Sequence, residues 1–412
     1  MLSREDNELL TRIEPGTPMG SLFRRYWIPA LLAEEIPEPD CAPARVRLLG
    51  EELVAFRASD GKIGLLGEHC AHRGTSLFFG RNEECGLRCI YHGWKYDVDG
   101  NVIETPAEPS GSRLINKVRH TAYPCVEAGG IVFAYMGAKE NQPQFPNYPW
   151  LGVPQDQIYV AKSFLECNYL QGLEGDCDSA HLNFLHKMFK PDARREFLNL
   201  VDQAPDFEFD ELDCGVRAAA IRRLDKGATY ARVSHFIMPF IGAVPVGSMV
   251  DGRLDGFKAV YQVPADNQNT WRYDFFFKWS RPFSTEDSSK RDFVDASYKK
   301  LRNQRNNYLQ DRERQKTVNF TGITEFLNQD ACATESMGAI VDRSKEHVGA
   351  SDAFILQVRR FLLRAVKDVQ AGKSPPGLIF ERAQNNLAYL RCEAAHLPAG
   401  VSWRTLYENG KR

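Results

Sequence analysis

The chain has 412 residues, of which 43% are hydrophobic and 26% are charged, a composition that is typical of folded globular proteins and excludes a disordered chain. This length exceeds one ordinary hydrophobic core and predicts two domains, or one domain with a large insertion. The formal net charge of -2, without any basic block, argues against a nucleic-acid partner.

The N-terminus carries Arg4, Glu5, Asp6 and Glu8 where a secretory signal would need an apolar core. No apolar run approaches the roughly 18 residues that span a bilayer, so we predict a cytoplasmic protein without a membrane anchor. In a reducing compartment, the ten cysteines are expected to be buried thiols or metal ligands instead of a disulfide framework.

The first third of the chain, from residue 45 to residue 136, has the pattern of short β-strands. Apolar runs at 46–49, 53–56 and 63–66 alternate with turns, and Asp60-Gly61 and Asp99-Gly100 are strong hairpin signals. A β-rich run at 130–136 precedes a proline-rich segment at 142–154, which predicts a domain boundary near residue 140.

The rest of the chain mixes strand and helix patterns. Strand-like runs occur at 233–246, 257–263 and 271–279. Apolar residues from Phe354 to Val369 recur at helical spacing, with Ser351 as the candidate N-cap and Gly372 just past the end. The charged stretch 285–316 is predicted to contain a solvated helix.

Two cysteines and two histidines form the first candidate metal site: Cys70-Ala71-His72 and, 16 residues later, Cys89-Ile90-Tyr91-His92. Such a set suits tetrahedral zinc. It also suits a Rieske [2Fe-2S] centre, which takes one Cys and one His from each of two adjacent loops. His69 and Cys85 fall outside this pattern and are predicted to be structural.

The longer motifs around these ligands resemble the Rieske domain of aromatic-ring-hydroxylating oxygenases. They are Cys70-Ala71-His72-Arg73-Gly74 and Cys89-Ile90-Tyr91-His92-Gly93-Trp94-Lys95-Tyr96, followed by Asp99-Gly100. The resemblance implies that Cys70, His72, Cys89 and His92 bind the cluster.

A second candidate metal site lies in the stretch 168–186. If this stretch is helical, Glu174, Asp178 and His181 share a face, whereas His186 reaches the same metal only if the helix distorts or ends after His181. Two histidines and one carboxylate on one side of an iron leave open positions for dioxygen, so a third ligand is required from elsewhere.

The spacing of Asp178, His181 and His186 is similar to the mononuclear-iron motif of Rieske oxygenases, whose carboxylate ligand comes from near the end of the chain. The segment Asn328-Gln329-Asp330 resembles that of the phthalate dioxygenase-like branch, so Asp330 is the predicted third ligand, with Glu335 and Asp342 as alternatives. A metal-bound histidine usually donates its other ring N–H to a carboxylate, a role that Asp178 can fill for His181. The resemblance adds that Asp178 also accepts from a Rieske histidine, His92, of the neighbouring subunit.

The resemblance runs through the whole chain and implies an α+β fold, in which an all-β Rieske domain precedes a catalytic domain with an antiparallel sheet and flanking helices of the helix-grip (START-like) type. The expected divisions are 1–43 for an N-terminal segment packing on the catalytic domain, 44–140 for the Rieske domain and 141–412 for the catalytic non-haem iron domain.

The implied activity is that of a terminal oxygenase in aromatic hydrocarbon catabolism, with a Rieske cluster, mononuclear Fe(II) and dioxygen as co-substrate. It would dihydroxylate the ring of an aromatic carboxylate. The chain has neither a G-x-G-x-x-G fingerprint nor a plant-type ferredoxin run. A separate flavin and iron-sulfur reductase would therefore deliver electrons from NAD(P)H, and the resemblance implies a homotrimer or stacked trimers (a hexamer).

Three alternatives remain open at the level of sequence. The same iron chemistry supports a monooxygenase or an O-demethylase of an aryl methyl ether acid. A non-enzymatic Rieske electron carrier would leave His181 and His186 structural, and a zinc-stabilised binding module would use the Cys and His pairs as a staple. The sequence also leaves open whether Glu174 or Asn168 tunes the iron site.

Overall fold

The computed structural model describes residues 1–109, 112–190, 201–250, 253–284 and 293–408. The α-helices within these ranges are α1 Arg4–Thr11, α2 Pro18–Phe23, α3 Tyr169–Cys177, α4 Arg312–Thr317, α5 Phe326–Glu335, α6 Ala353–Gln370 and α7 Thr405–Glu408. None of them is both long and apolar enough to cross a membrane.

The strands before residue 136 are short and form three antiparallel sheets. They are β1 Trp27–Leu32, β2 Ala44–Leu48, β3 Glu51–Arg57, β4 Ile63–Gly67, β5 Arg81–Glu83, β6 Gly86–Arg88, β7 Lys95–Tyr96, β8 Val102–Glu104, β9 Cys125–Ala128 and β10 Ile131–Tyr135. The sheet orders are β1-β10-β9, β2-β3-β4 and β5-β6-β7-β8. Asp60-Gly61 and Asp99-Gly100 both turn the chain between paired strands, with Gly61 and Gly100 in the left-handed region, so the predicted hairpins are confirmed.

The strands after residue 157 build mainly one large antiparallel sheet. They are β11 Ile158–Leu165, β12 Asp206–Leu212, β13 Gly215–Arg223, β14 Thr229–Ile237, β15 Ile241–Val244, β16 Ser248–Val250, β17 Arg253–Asp255, β18 Lys258–Pro264, β19 Thr270–Phe277 and β20 Glu393–Leu397. The large sheet has the order β11-β19-β18-β15-β14-β13-β12, and β20 also pairs with β14. The expected α+β class is confirmed, with a β-rich region ahead of an antiparallel sheet and its helices.

The apolar run 233–246 is not one strand. It forms the end of β14 and all of β15, which pair with each other as a hairpin from Ile237 and Ile241 onward. Pro239 lies in the intervening turn, where its missing N–H costs no ladder hydrogen bond.

Helix α6 lies against β13, α2 and α3. Its apolar face is buried as predicted, at Phe354, Val358, Phe361, Leu362 and Ala365 among others. The N-cap is Asp352 instead of Ser351, and Gly372, at φ 77°, follows the C-terminal end as expected.

The expectation of a solvated helix within 285–316 is mostly wrong. Residues 285–292 lie outside the described residues, and 293–301 form turns with a bridge between Val294 and Lys300. Asn307 and Tyr308 have positive φ and interrupt the next helical turn, so that only α4 is regular.

The N-terminal segment contacts both large parts of the fold. Strand β1 pairs with β10, whereas α1 and α2 lie against α6. The ring of Phe23 packs against Tyr169 of α3 and against Phe240. The segment therefore holds α3 in place, directly ahead of the predicted iron ligands.

Candidate functional site: two metal centres

The two loops that carry the first candidate site have the same backbone geometry. Gly74 N–H donates to the carbonyl of Cys70 (2.8 Å), and Gly93 N–H donates to the carbonyl of Cys89 (3.1 Å). Both glycines have φ of 75°, which only glycine adopts without strain. Each loop therefore presents a Cys and a His in equivalent positions, one between β4 and β5 and the other between β6 and β7.

The structure brings the four predicted side chains together. The rings of His72 and His92 lie 4.6 Å apart and are partly exposed, while the thiols of Cys70 and Cys89 are buried. Burial, together with the neighbouring Cys70, raises the pKa of Cys89. This donor set, with two inner thiols and two outer imidazoles from paired loops, fits a Rieske [2Fe-2S] cluster.

Two aromatic residues complete the surroundings of these ligands. The indole of Trp94 stacks on His72 at 4.9 Å, nearly parallel. The hydroxyl of Tyr96 lies 3.0 Å from the sulfur of Cys70 and would donate to a thiolate there. By contrast, exposed His69 bonds to Glu52 and to the carbonyl of Gly74, and Cys85 is exposed in the turn between β5 and β6.

The second candidate site is not built on one helix. Helix α3 ends at Cys177, and Asp178 has extended backbone angles. The helical face that Glu174, Asp178 and His181 would share in a continuous helix is therefore not formed. His181 begins a separate 3₁₀ turn, His181–Asn183. The helix therefore ends before both histidines, and the intervening turn lets both rings point to one place.

His181, His186 and Asp330 converge, with one ligand atom of each within 4.8 Å of the others. Asp330 Oδ1 lies 2.9 Å from His186 Nε2 and 3.9 Å from His181 Nε2. Burial by itself raises the pKa of Asp330, but His186 and Arg272 outweigh it and hold that pKa far below the usual range. Two imidazoles and one carboxylate in this arrangement fit a mononuclear Fe(II) with open positions.

Asp178 supports His181 in two ways. Its Oδ1 accepts from the backbone N–H of Ala180 (2.7 Å) and of His181 (3.3 Å), while its Oδ2 lies 3.6 Å from His181 Nδ1. Burial opposes ionisation, but His181 lowers the pKa of Asp178. Both side chains keep more than a fifth of their surface exposed.

Two residues that the sequence analysis did not single out also contact the triad. Gln329 Oε1 accepts from His186 Nδ1 at 2.6 Å, and its position directly before Asp330 was the only sequence signal. Arg272, on β19, pairs with buried Asp274 and Asp176, and its Nη2 lies 4.0 Å from Asp330 Oδ2. No local sequence pattern indicated Arg272, because only the folded sheet brings it under Asp330.

The other carboxylates considered as ligands have different partners. Glu335 is bonded to Lys300, Tyr308 and the backbone of Glu166, and Asp342 caps the turn at Ser344. Glu174 is bonded by both Arg343 and Arg359.

Asn168 is also engaged away from the triad. It caps α3, and its amide donates to the carbonyls of Thr11 and Asn267. Within the described chain, therefore, neither Glu174 nor Asn168 contacts the histidine pair.

A buried cation lies behind the loop that carries His181. Arg222, on β13, is 1% exposed and donates from Nη2 to the carbonyl of Ser179 and to Asn183 Oδ1. Its Nε and Nη1, and the hydroxyl of Ser179, find no hydrogen-bond partner among the described residues. Burial and nearby Arg232 lower the pKa of Arg222 to about 10, so it remains charged at neutral pH.

Two known families match this chain and together account for most of it. Residues 26–124 match the Rieske [2Fe-2S] domain, and residues 134–411 match the family described as LigXa C-terminal domain like. The chain is 42% identical over 398 residues to the phthalate 4,5-dioxygenase oxygenase subunit of Pseudomonas putida, covering 92% of this chain and 89% of that one. It is 35% identical over 443 residues to the 3-chlorobenzoate-3,4-dioxygenase oxygenase subunit of Comamonas testosteroni, covering 99% and 98%.

Solved structures share the fold at lower identity. Pseudomonas putida CBB5 NdmA, as a QL mutant with caffeine, superimposes with a TM-score of 0.64 at 20% sequence identity. The match covers 89% of this chain and 99% of that one, and so includes both the β-rich region and the large sheet.

Proposed function

Because the chain belongs to the phthalate dioxygenase-like branch of the Rieske non-haem iron oxygenases, we propose that its substrate is an aromatic carboxylate, which it dihydroxylates on the ring. As a member of this family it is the terminal oxygenase component, an oxidoreductase with a Rieske cluster, a mononuclear iron and dioxygen as co-substrate. The observation that carries the proposal is the convergence of His181, His186 and Asp330 beside the loop held by Arg222.

We assign the metal ligands residue by residue. Cys70, His72, Cys89 and His92 would hold the cluster, and His181, His186 and Asp330 would hold the iron. When bound, that iron supplies open coordination positions at which dioxygen is activated. The protein's own contribution is to orient both imidazoles, keep Asp330 ionised and hold the ring of the substrate close by.

Arg222 is the proposed anchor of the substrate carboxylate. A guanidinium presents its N–H donors in a fixed fork that matches a carboxylate, and two nitrogens of Arg222 have no acceptor in the described part of the chain. A buried polar group without a partner is costly, so a bound carboxylate would be stabilised there. Ser179 Oγ, without a partner among the same residues, offers one more donor.

Electrons are proposed to arrive from a separate flavin and iron-sulfur reductase that oxidises NAD(P)H. From the cluster they would pass to the iron of a neighbouring subunit through Asp178, which would accept from its own His181 and from His92 of the partner subunit. The partial exposure of Asp178 supports this role, since a wholly buried carboxylate is out of reach of another copy.

Subunits are proposed to form a trimer or stacked trimers. Ile90 and Tyr91, beside His92, are more than half exposed, and Phe184 and Phe320 form an exposed ring pair near His181. Apolar side chains clustered on a surface mark protein contacts. We propose that these two patches meet across the subunit boundary, with domain limits at 1–43, 44–140 and 141–412.

Turnover under labelled dioxygen tests the proposal. The purified protein, a reductase and NADH are given ¹⁸O₂ with benzoate, 3-chlorobenzoate, phthalate or an aryl methyl ether acid, and products are analysed by mass spectrometry. Dihydroxylation places two labelled oxygens on the ring, whereas monohydroxylation or O-demethylation uses one. Failure of every aromatic acid, with turnover of an uncharged arene, would reject the carboxylate proposal.

Iron content separates the oxygenase from a Rieske electron carrier. The oxygenase should contain about three irons per chain, two in the cluster and one mononuclear, and a carrier should contain about two. Asp330→Ala should remove the third iron and leave the cluster spectrum intact. A protein loaded with zinc and lacking a reducible visible spectrum would instead support a zinc-stabilised module.

A further inference from the structure

We propose that Gln329 is a positioning residue that fixes which nitrogen of His186 is free to bind iron. The inference rests on the proposed iron site and adds to it a residue that never touches the metal. Both side chains are buried, with Gln329 1% and His186 3% exposed, so water does not compete for their contact.

The hydrogen bonds of Gln329 determine the direction of its amide. Its Nε2 donates to the carbonyl of Ile323 at 2.9 Å, and a carbonyl can only accept. Its Oε1 must therefore face His186 Nδ1, 2.6 Å away. An amide oxygen can only accept, so the hydrogen of the imidazole lies on Nδ1.

This hydrogen bond leaves Nε2 as the ring nitrogen that faces the rest of the triad. Nε2 lies 2.9 Å from Asp330 Oδ1. A contact this short requires a positive charge between the two atoms, either a proton on Nε2 or a bound cation. A divalent cation that replaces the proton would be bound by both atoms, and Gln329 keeps Nε2 turned towards it.

Helix α5 fixes His186 from three sides at once. The ring of Phe326 stacks on the imidazole at 4.3 Å, nearly parallel, while Gln329 bonds Nδ1 and Asp330 faces Nε2. Gln329 and Asp330 follow Phe326 by three and four positions, so all three lie on one face of the helix. A flip of the imidazole would keep the stacking but break both polar contacts.

The two histidines of the triad have chemically different supports. His181 faces a carboxylate, Asp178, at 3.6 Å, whereas His186 faces a neutral amide. The surroundings already contain Asp176, Asp178 and Asp330, and another buried anion would be costly. An amide orients the ring without adding a charge.

The test compares three variants in protein freed of its mononuclear iron. Gln329→Met keeps the side-chain length but removes the strong acceptor, and Gln329→Glu keeps an acceptor. Gln171→Met is the matched control, because this buried amide also bonds α5, at the carbonyl of Thr334, without contacting His186. Fe(II) affinity is measured by titration, and the Rieske spectrum and the urea midpoint report the fold.

We expect Gln329→Met to bind Fe(II) about 10–100-fold more weakly with an unchanged Rieske spectrum, which is the usual effect of losing such a support. Gln329→Glu should stay within a few-fold of the wild type, and Gln171→Met should not differ from it. An affinity of Gln329→Met within twofold of the wild type, or an equal loss in Gln171→Met, overturns the inference. Asp330→Ala tests the proposed iron site itself. If this variant also binds Fe(II) with wild-type affinity, the proposed iron site is wrong.

A measurement on the wild-type protein does not depend on the folding of any variant. With Co(II) at the iron site, the Nδ1–H of His186 should give a shifted NMR signal that exchanges slowly with water. Metal on Nδ1, or a signal lost at once in deuterated water, contradicts the inference.

Discussion

The guanidinium of Arg222 has two nitrogens without a partner in the described chain, although it is almost fully buried. Its third nitrogen, Nη2, holds the loop of His181 through the carbonyl of Ser179 and through Asn183. Arg222 therefore links the position of His181, a proposed iron ligand, to any group that bonds to its other two nitrogens. Substrate binding and the geometry of His181 should be coupled.

We expect Arg222→Met to impair turnover of aromatic carboxylates specifically. Loss of one partner of a buried charged hydrogen bond costs ~2–5 kcal/mol, so kcat/KM for benzoate-type substrates should fall by about thirtyfold to several thousandfold. Uncharged aromatic amides should lose much less, because for them the variant removes only the support that Nη2 gives to the loop of His181. Arg217→Met is the control, because this cation of the same strand bonds to His235 instead. Equal losses for charged and uncharged substrates would contradict the proposed role.

Sequence reasoning at this scale was most informative where candidate ligands are close in the chain. The Cys and His pairs were singled out from their spacing, whereas the spacing of His181 and His186 became informative only together with the family resemblance. Asp330 came only from family resemblance. Arg222 and Arg272 carry no local signal, and Gln329 has only its place before Asp330, since the relevance of all three depends on strands and helices that meet only in the fold.

At the scale of elements, the end of α3 was the feature that the helical pattern misplaced. The side chain of Asp178 bonds to backbone N–H groups ahead of it, and such bonds compete with the helix. Helical periodicity is judged from the spacing of apolar residues, so it gives no information on such side-chain-to-backbone hydrogen bonds. The apolar face of α6, in contrast, was predicted nearly to the residue, because burial against the sheet determines it.

Glu174 ties α3 to the elements that follow the catalytic sheet. It is buried and bonded by Arg343 and by Arg359 of α6. Burial opposes ionisation, but the two arginines lower the pKa of Glu174 below its ordinary value of 4.5. Its contribution to stability is therefore fully present above pH 4.5 and is lost as the pH falls through the lower, folded-state pKa.

We expect Glu174→Gln to lower the free energy of unfolding by ~3–5 kcal/mol at pH 7, because it removes the anion that buried Arg343 and Arg359 share. The difference from the wild type should be constant down to about pH 4.5 and should shrink below it. Urea unfolding across this range provides the measurement. Glu346→Gln is the milder control, because Glu346 pairs with Arg359 alone among the described residues. A difference that grows on acidification would contradict the assignment.

At the scale of the whole molecule, some exposed apolar side chains lie beside the two candidate metal sites, Ile90 and Tyr91 at one and Phe184 and Phe320 at the other. We expect Ile90→Asp to shift the protein from trimer towards monomer in sedimentation, because it places a charge at the proposed contact. The Rieske spectrum should persist. Met249→Asp, at an exposed methionine of β16, is the matched control and should leave the assembly intact. Unchanged assembly of Ile90→Asp would remove this patch from the interface.

We expect Asp178→Asn to slow electron transfer and to leave the assembly intact. The amide keeps the size of the carboxylate but turns one acceptor into a donor, so one of its two proposed imidazole contacts is lost. We expect the cluster colour, the trimer and much of the mononuclear iron to remain. In single-turnover stopped flow, reoxidation of the reduced cluster with substrate and dioxygen should slow by orders of magnitude. Reoxidation at the wild-type rate would show that Asp178 is not the bridge.

The second metal site draws nearly all of its contacts from two short stretches, the turn 178–186 and helix α5. The first supplies both imidazoles and Asp178, and the second supplies Asp330, Gln329 and the stacked Phe326. In protein design, such a site can be transferred as two short segments. Any scaffold that holds one turn against one helix at this spacing would receive the proposed ligands together with the residues that support them. Arg272 and Arg222 would have to be supplied by the host, because both come from the sheet.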